Sequence, residues 1–163
     1  MIKKLWLGAL SFGVFLIQTT VLRNFSIIGT QPNLMVVLVI CFALAQQSFF
    51  AAMYYGLLCG FMLDCESQTV FGLHTILCVL CAALCFVMNE KFFKAKYLVC
   101  LLFVFVVSII YESLYYVMAY INNYNVSFWF ALLCTALPTA IYNTVLALPA
   151  LLIVRKIYTE QTN

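Results

Sequence analysis

Charged residues are scarce in this 163-residue chain. They make up 8% of it, against about a quarter of an ordinary soluble domain, while hydrophobic residues make up 67%. So few polar side chains cannot cover a water-soluble globule, which excludes a soluble domain. Proline is also rare, and no Pro- or Ser-rich linker, charged block or repeat divides the chain. We predict a single integral membrane domain over residues 1–163.

The usual motifs of catalysis and cofactor binding are missing as well. The chain has no H-E-x-x-H, no G-x-S-x-G and no Gly-rich phosphate loop. Its eight cysteines lie mostly in apolar runs and are interpreted as packing residues, although Cys78, Cys81 and Cys85 share a helical face and leave a metal site as the less favoured alternative. The basic residues form no stripe. We therefore expect no catalytic residue, cofactor, metal or nucleic-acid partner.

Six apolar runs predict six membrane-embedded α-helical segments, because about 20 apolar residues cross ~30 Å of hydrocarbon. The runs cover residues 5–22, 34–45, 49–63, 71–88, 97–121 and 128–154. The second and third are short, so they form either two thin helices or a re-entrant pair buried among its neighbours. The last contains Pro138 and Pro149, each of which removes a helical hydrogen bond, so we predict a kinked last helix.

The basic residues orient these segments, because cytoplasmic loops carry an excess of Lys and Arg. If the N-terminus is inside, Arg23 alone falls outside. The other seven fall inside: Lys3, Lys4, Lys91, Lys94, Lys96, Arg155 and Lys156. We predict that both termini are cytoplasmic. In this topology the polar groups Asp64, Glu66, His74 and Glu112 gather in the outer half of the membrane.

A stripe of small residues runs along the third segment. Ala52, Gly56, Gly60 and Asp64 follow one another at intervals of four, so they share one helical face that ends in a carboxylate. Small residues let helix backbones approach closely in lipid. We favour packing within the chain, and a partner-binding face is the alternative.

Three more polar residues are candidates for a structural or functional role. Glu112 lies one turn from Tyr115 and Tyr116, and we expect a tyrosine hydroxyl to bind its carboxyl group, with a ligand or partner contact as the alternative. His74 is predicted to be a capping or packing residue. Asn143 lies between the two prolines and is expected to donate to a carbonyl that they free, and a broken helix lining a substrate site is the alternative. Asp64, His74 and Glu112 form an acid–base group only if folding brings them together.

The order of several short motifs resembles the MreD family, small membrane proteins of the bacterial rod-shape and cell-elongation machinery. Asn33 stands where the family usually has Asp, and Gln68 where it usually has Gly. The resemblance spans nearly the whole chain, and its motifs are Gln18-Thr19-Thr20-Val21-Leu22, Ile28-Gly29, Pro32-Asn33-Leu34, Gly56 and Gly60 before Asp64, Ser67 before Phe71-Gly72-Leu73-His74, and Pro138 before Tyr142-Asn143.

The resemblance implies a non-catalytic, multi-pass subunit of the bacterial cytoplasmic (inner) membrane. Its implied partners are MreC, the MreB filament, and the elongation transpeptidase with its glycosyltransferase, and its implied role is to organise peptidoglycan synthesis and cell shape. The alternative is the substrate-binding membrane subunit of a vitamin-uptake type transporter, which needs an outer cavity for a small molecule. The candidate partner-binding or packing residues are Ala52, Gly56, Gly60, Asp64, Ser67, His74, Glu112, Pro138 and Asn143.

Overall fold

The chain folds into a bundle of α-helices. The computed structural model describes residues 2–20, 30–46, 48–67, 70–92, 97–122 and 132–159. In these parts lie α1 (Ile2–Thr20), α2 (Leu34–Ala45), α3 (Phe49–Glu66), α4 (Leu73–Phe92), α5 (Tyr97–Ile121), a π-helical turn (Leu132–Ala136) and α6 (Leu137–Thr159). The predicted all-helical class is confirmed, and the second and fifth helices have the predicted limits.

The shortest helix, α2, lies at the centre of the bundle. It contacts each of the other five described helices, and every residue from Met35 to Ala45 is buried. Its sequence has no polar side chain, as expected for a helix that is enclosed on all sides. Its 12 residues rise about 18 Å at 1.5 Å per residue, less than the ~30 Å of a hydrocarbon core. The surrounding helices therefore shield α2 from lipid.

Three stretches of the described chain are long and apolar enough to cross a membrane. They are Phe49–Glu66 in α3, Leu98–Ile121 in α5, and Leu133–Val154 in the π-helical turn and α6. The apolar stretches of α1, α2 and α4 are shorter. The third segment is longer than its apolar run indicates, because α3 continues past Leu63 through a buried Asp64. That α1, α2 and α4 are also membrane-embedded segments stays a prediction.

Helix α5 shows how the bundle meets its surroundings. One face buries Cys100, Val104 and Val107 in the core, and the opposite face exposes Leu98 and Leu102. A soluble helix would place charged or polar residues on that outer face. Apolar residues on both faces indicate a helix that packs against the core on one side and against lipid on the other.

The last predicted segment is divided by a change of helix type. A π-helical turn ends at Ala136, and α6 begins at Leu137, directly before Pro138. Pro138 has no N–H to donate to the carbonyl of Cys134 in the π-helical turn, which explains why regular α-helical bonding fails there. Pro149 lies inside α6 without interrupting it.

All eight cysteines are free. Six of them are buried, and Cys65 and Cys134 are exposed, so the interpretation of the cysteines in apolar runs as packing residues does not hold for Cys134. Cys78, Cys81 and Cys85 belong to the same buried apolar cluster as α2. No group of three metal-ligating side chains occurs within the described part of the chain.

The small-residue stripe of α3 lies against α4. Ala52, Gly56, Gly60 and Asp64 are all buried. A Cβ atom at Gly56 would lie 2.9 Å from the carbonyl oxygen of Cys78, and one at Gly60 would lie 2.5 Å from the Cα of Thr75. Only glycine permits this approach, because the obstructing atoms belong to the backbone of α4. The stripe is thus occupied by a contact within the chain.

Replacing Gly60 with alanine should loosen the α3–α4 contact. We expect Gly60→Ala to lower stability by about 1–3 kcal/mol, because the added methyl group overlaps backbone that cannot rotate away. Gly13→Ala is the matched control, since nothing lies within 4 Å of a Cβ at Gly13. The measurement is the thermal unfolding midpoint of each purified variant in detergent. Equal midpoints for the two variants would show that the stripe is not a tight contact.

Candidate functional site at the polar end of the bundle

The side chain of Asp64 caps the first turn of α4. It is 2% exposed, and its Oδ1 accepts the N–H of His74 at 2.9 Å while its Oδ2 accepts the N–H of Thr75 at 2.9 Å. The hydroxyl of Thr75 also donates to Oδ2. These N–H groups have no acceptor within α4, and the carboxylate lies at the positive end of the helix dipole. Asp64 therefore joins the end of α3 to the start of α4.

The connection between α3 and α4 is shaped to bring these ends together. Ser67 closes α3, with its N–H donating to the carbonyl of Leu63 at 3.0 Å and its hydroxyl to the carbonyl of Asp64 at 3.4 Å. Gly72, directly before α4, has φ of 95°, a left-handed conformation that favours glycine. The chain can therefore reverse direction within a few residues.

The start of α2 is capped by side chains from two places in the chain. Gln18, near the end of α1, accepts the N–H of Met35 through Oε1 at 3.1 Å. Asn33 accepts the N–H of Val36 through Oδ1 at 3.3 Å. An amide oxygen thus serves as the N-cap at the position where the family usually has Asp.

Asn143 links α6 to this capped end. It is 1% exposed, its Oδ1 accepts the backbone N–H of Asn33 at 2.8 Å, and its Nδ2 donates to Oγ of Ser108 on α5 at 3.3 Å. The expectation that Asn143 repairs the hydrogen bonds lost at the prolines is therefore wrong. Its amide group connects α6 to α5 and to the residue before α2.

His74 forms an aromatic contact with α5. Its Nδ1 lies 2.6 Å from the hydroxyl of Tyr111, and its ring stacks on Tyr115 with centroids 4.8 Å apart. Tyr111 is 1% exposed, whereas His74 is half-buried. Together with the hydrogen bond from the backbone N–H of His74 to Asp64, these contacts fix the imidazole ring, which lines a polar cavity.

A polar cavity of about 490 Å³ opens at this end of the bundle. Its lining comes from the residues before α2, from the π-helical turn and from every described helix except α2. The carboxyl groups of Glu66 and Glu112 and the imidazole of His74 contribute to it, together with Ser67 and other hydroxyl and amide side chains. Several polar residues of the sequence thus face one common space.

Glu112 differs from Asp64 and Asn143, the other buried residues of this end that carry a carboxyl or amide group. It is 9% exposed, it lines the cavity, and it makes no hydrogen bond or ion pair with any residue that the structure describes. Within the described parts of the chain, the predicted bond from a tyrosine hydroxyl is not formed. The hydroxyl of Tyr111 is engaged by His74, and the ring of Tyr115 is turned to stack on the same imidazole.

The predicted candidates fall into three groups. Asp64, Ser67, His74, Glu112 and Asn143 lie together at the polar end, Ala52, Gly56 and Gly60 lie along the α3–α4 contact, and Pro138 marks the start of α6. Arg23 lies outside the described residues. Sequence reasoning missed the capping role of Gln18 and the roles of Thr75 and Tyr111. A glutamine close to the end of an apolar helix was the signal available for Gln18.

These features define an all-helical membrane protein whose buried polar side chains are concentrated at one end of the bundle. The model of the family described as rod shape-determining protein MreD matches residues 2–160, nearly the whole chain. The chain therefore belongs to the MreD family and is a rod shape-determining membrane protein. MreD is a structural family that is not known for catalysis. No curated protein and no solved structure matches the chain.

Removing the charge of Asp64 should loosen the first turn of α4. We expect Asp64→Asn to destabilise this turn by about 1–2 kcal/mol, because the amide can accept with only one of the two oxygens now in use. Hydrogen exchange at His74 and Thr75, whose N–H groups donate to Asp64, should become about tenfold faster. Glu66→Gln, an exposed change in the same turn of α3, is the control. Unchanged exchange in Asp64→Asn would refute the capping role.

Removing the amide of Asn143 should weaken the contact between α6 and the start of α2. Asn143→Leu keeps the branched shape of the side chain but leaves the N–H of Asn33 without its acceptor, so we expect a loss of about 1–3 kcal/mol. Thr144→Val is the control, because that hydroxyl donates only to the carbonyl of Ala140 on its own helix, at 2.7 Å. Thermal unfolding of the two variants gives the comparison, and equal stabilities would contradict the linking role.

Proposed function

We propose that this protein is a non-catalytic subunit of the cell-elongation (rod) complex. In this proposal it binds MreC and works with the MreB filament, the elongation transpeptidase and its glycosyltransferase to organise peptidoglycan synthesis. The observation that carries the proposal is the family match over residues 2–160. A bundle without recognised catalytic motifs agrees with a role in assembly.

The proposed arrangement in the bacterial cytoplasmic membrane has six embedded segments and both termini in the cytoplasm. It rests on the distribution of basic residues, seven of which then fall on the cytoplasmic side. Helices α2 and α3 are either two thin segments or a re-entrant pair, and the enclosure of α2 by other helices suits both arrangements. The polar cavity then opens toward the periplasm.

The packing limits where a partner helix can bind. The stripe from Ala52 to Asp64 faces α4, so it is not open to a second protein. The apolar outer faces of α4, α5 and α6 remain exposed, with Leu80, Leu102 and Leu152 each more than half exposed. In our proposal MreC binds one of these outer faces or the polar end.

Identification of the proteins that co-purify with the tagged chain from native membranes in mild detergent tests this proposal. We expect an MreC-like protein together with wall-synthesis enzymes, and an unrelated multi-pass protein expressed at the same level serves as control. A photo-crosslinking amino acid placed in turn at Leu80, Leu102 and Leu152 then locates the contact. An MreC adduct at one position, with the other two as internal controls, would identify the docking face.

The polar cavity favours one second candidate, a substrate-binding membrane subunit of a vitamin-uptake type transporter. That function needs an outer cavity for a small molecule, and the cavity around Glu112 has a suitable size. The same purification separates the two candidates. Recovery of paired ATPases and a transport coupling subunit, without an MreC-like protein, would overturn the elongation proposal in favour of solute uptake.

A further inference from the structure

The polar cavity has the dimensions of a small-molecule site. Its volume of about 490 Å³ lies within the range of roughly 300–1,000 Å³ that is usual for ligand pockets. The volume therefore suits a whole small molecule or a lipid headgroup.

The charges of the lining residues indicate whether the cavity suits a cation or an anion. Glu66 and Glu112 contribute carboxyl groups, and no Lys or Arg occurs among the lining residues that the structure describes. Among the described lining residues a phosphate or carboxylate ligand would find no lysine or arginine. A cation would find the two carboxyl groups of Glu66 and Glu112.

Glu112 gives the strongest indication of a cationic ligand. It is 9% exposed and has no hydrogen-bond or ion-pair partner within the described residues. A carboxylate buried without a partner is unfavourable, and a positively charged donor would satisfy it. Because no described residue supplies that partner, a ligand in the cavity can supply it.

The aromatic and hydroxyl groups of the cavity suit the same ligand. Tyr115 stacks on His74, and Tyr116 lies edge-on to Tyr115 with ring centroids 5.4 Å apart. Aromatic faces attract ammonium groups, and the hydroxyl groups of Thr135 and Thr139 can accept the N–H bonds of an amine. Carboxylate, aromatic ring and hydroxyl together form a recognition set for an amine.

We propose that this cavity binds a ligand that carries a primary ammonium group, and that Glu112 forms the ion pair with it. This chemistry occurs both in a free small amino alcohol and in the headgroup of phosphatidylethanolamine. The inference goes beyond the proposed role in the elongation complex and does not depend on MreC.

Ethanolamine is the probe for the first experiment, and ethylene glycol is its uncharged counterpart. The full-length protein, purified in a neutral detergent, is heated at increasing concentrations of each. We expect saturable stabilisation by ethanolamine and none by ethylene glycol. Equal effects of the two compounds, or stabilisation by phosphate instead, would overturn the proposal without the need for any variant.

Two charge-matched variants locate the site. Glu112→Gln keeps the shape of the side chain and should weaken ethanolamine binding by about tenfold or more, because the ion pair is lost. Glu90→Gln removes the same charge on α4, about 24 Å along the helix from His74, and should leave binding unchanged. Tyr115→Leu removes an aromatic ring from the lining of the cavity and should weaken binding about threefold. Unaltered binding in both Glu112→Gln and Tyr115→Leu would refute the site.

Lipid nanodiscs distinguish the two sources of the ammonium group. The protein is reconstituted in equal mixtures of phosphatidylethanolamine and phosphatidylglycerol, released, and analysed by native mass spectrometry. Retention of phosphatidylethanolamine by the wild type but not by Glu112→Gln supports the headgroup. Ethanolamine binding without lipid retention supports a free amine, and the absence of both contradicts the proposal. Recovery of MreC is a separate measurement, so either proposal can fail alone.

Discussion

At the starts of α2 and α4, backbone N–H groups face side chains from other parts of the bundle and need acceptors within the chain. Each buried donor left without an acceptor costs on the order of 1–3 kcal/mol. Asp64 supplies the acceptors for α4, and Gln18 and Asn33 supply them for α2. Because these side chains come from α1, α3 and the segment before α2, the arrangement of the helices at this end follows from the need to satisfy a few N–H groups.

This constraint distinguishes Glu112 from the carboxyl and amide side chains that cap or link the helices at this end. Gln18, Asn33, Asp64 and Asn143 are used in hydrogen bonds that hold helices together, and they belong to the motifs that carry the family resemblance. Glu112 belongs to neither set, since it has no partner among the described residues and faces the cavity. Stability and ligand recognition therefore fall to different residues, although both are located at the same end of the bundle.

Much of the fold follows from local sequence. The limits of α2 are predictable because an uninterrupted apolar run is bounded by Asn33 and Gln46, and close packing of α3 is predictable from the spacing of Gly56 and Gly60. The capping partners are not predictable in this way. Asn143 lies between two prolines in the sequence, yet its amide bonds to Asn33, 110 residues earlier, because of where α6 lies against α2.

The hydrogen bond between Asn33 and Asn143 also bears on the order in which the domain is completed. Chains are synthesised from the N-terminus, so α2 is made long before its last acceptor emerges. Until α6 has been inserted, the N–H of Asn33 at the start of the central helix lacks this acceptor. The side of the central helix that contacts α6 also remains uncovered. A chain that stops short of α6 is therefore incomplete at its centre and not only at its edge, which makes completion of the core one of the final events of biosynthesis.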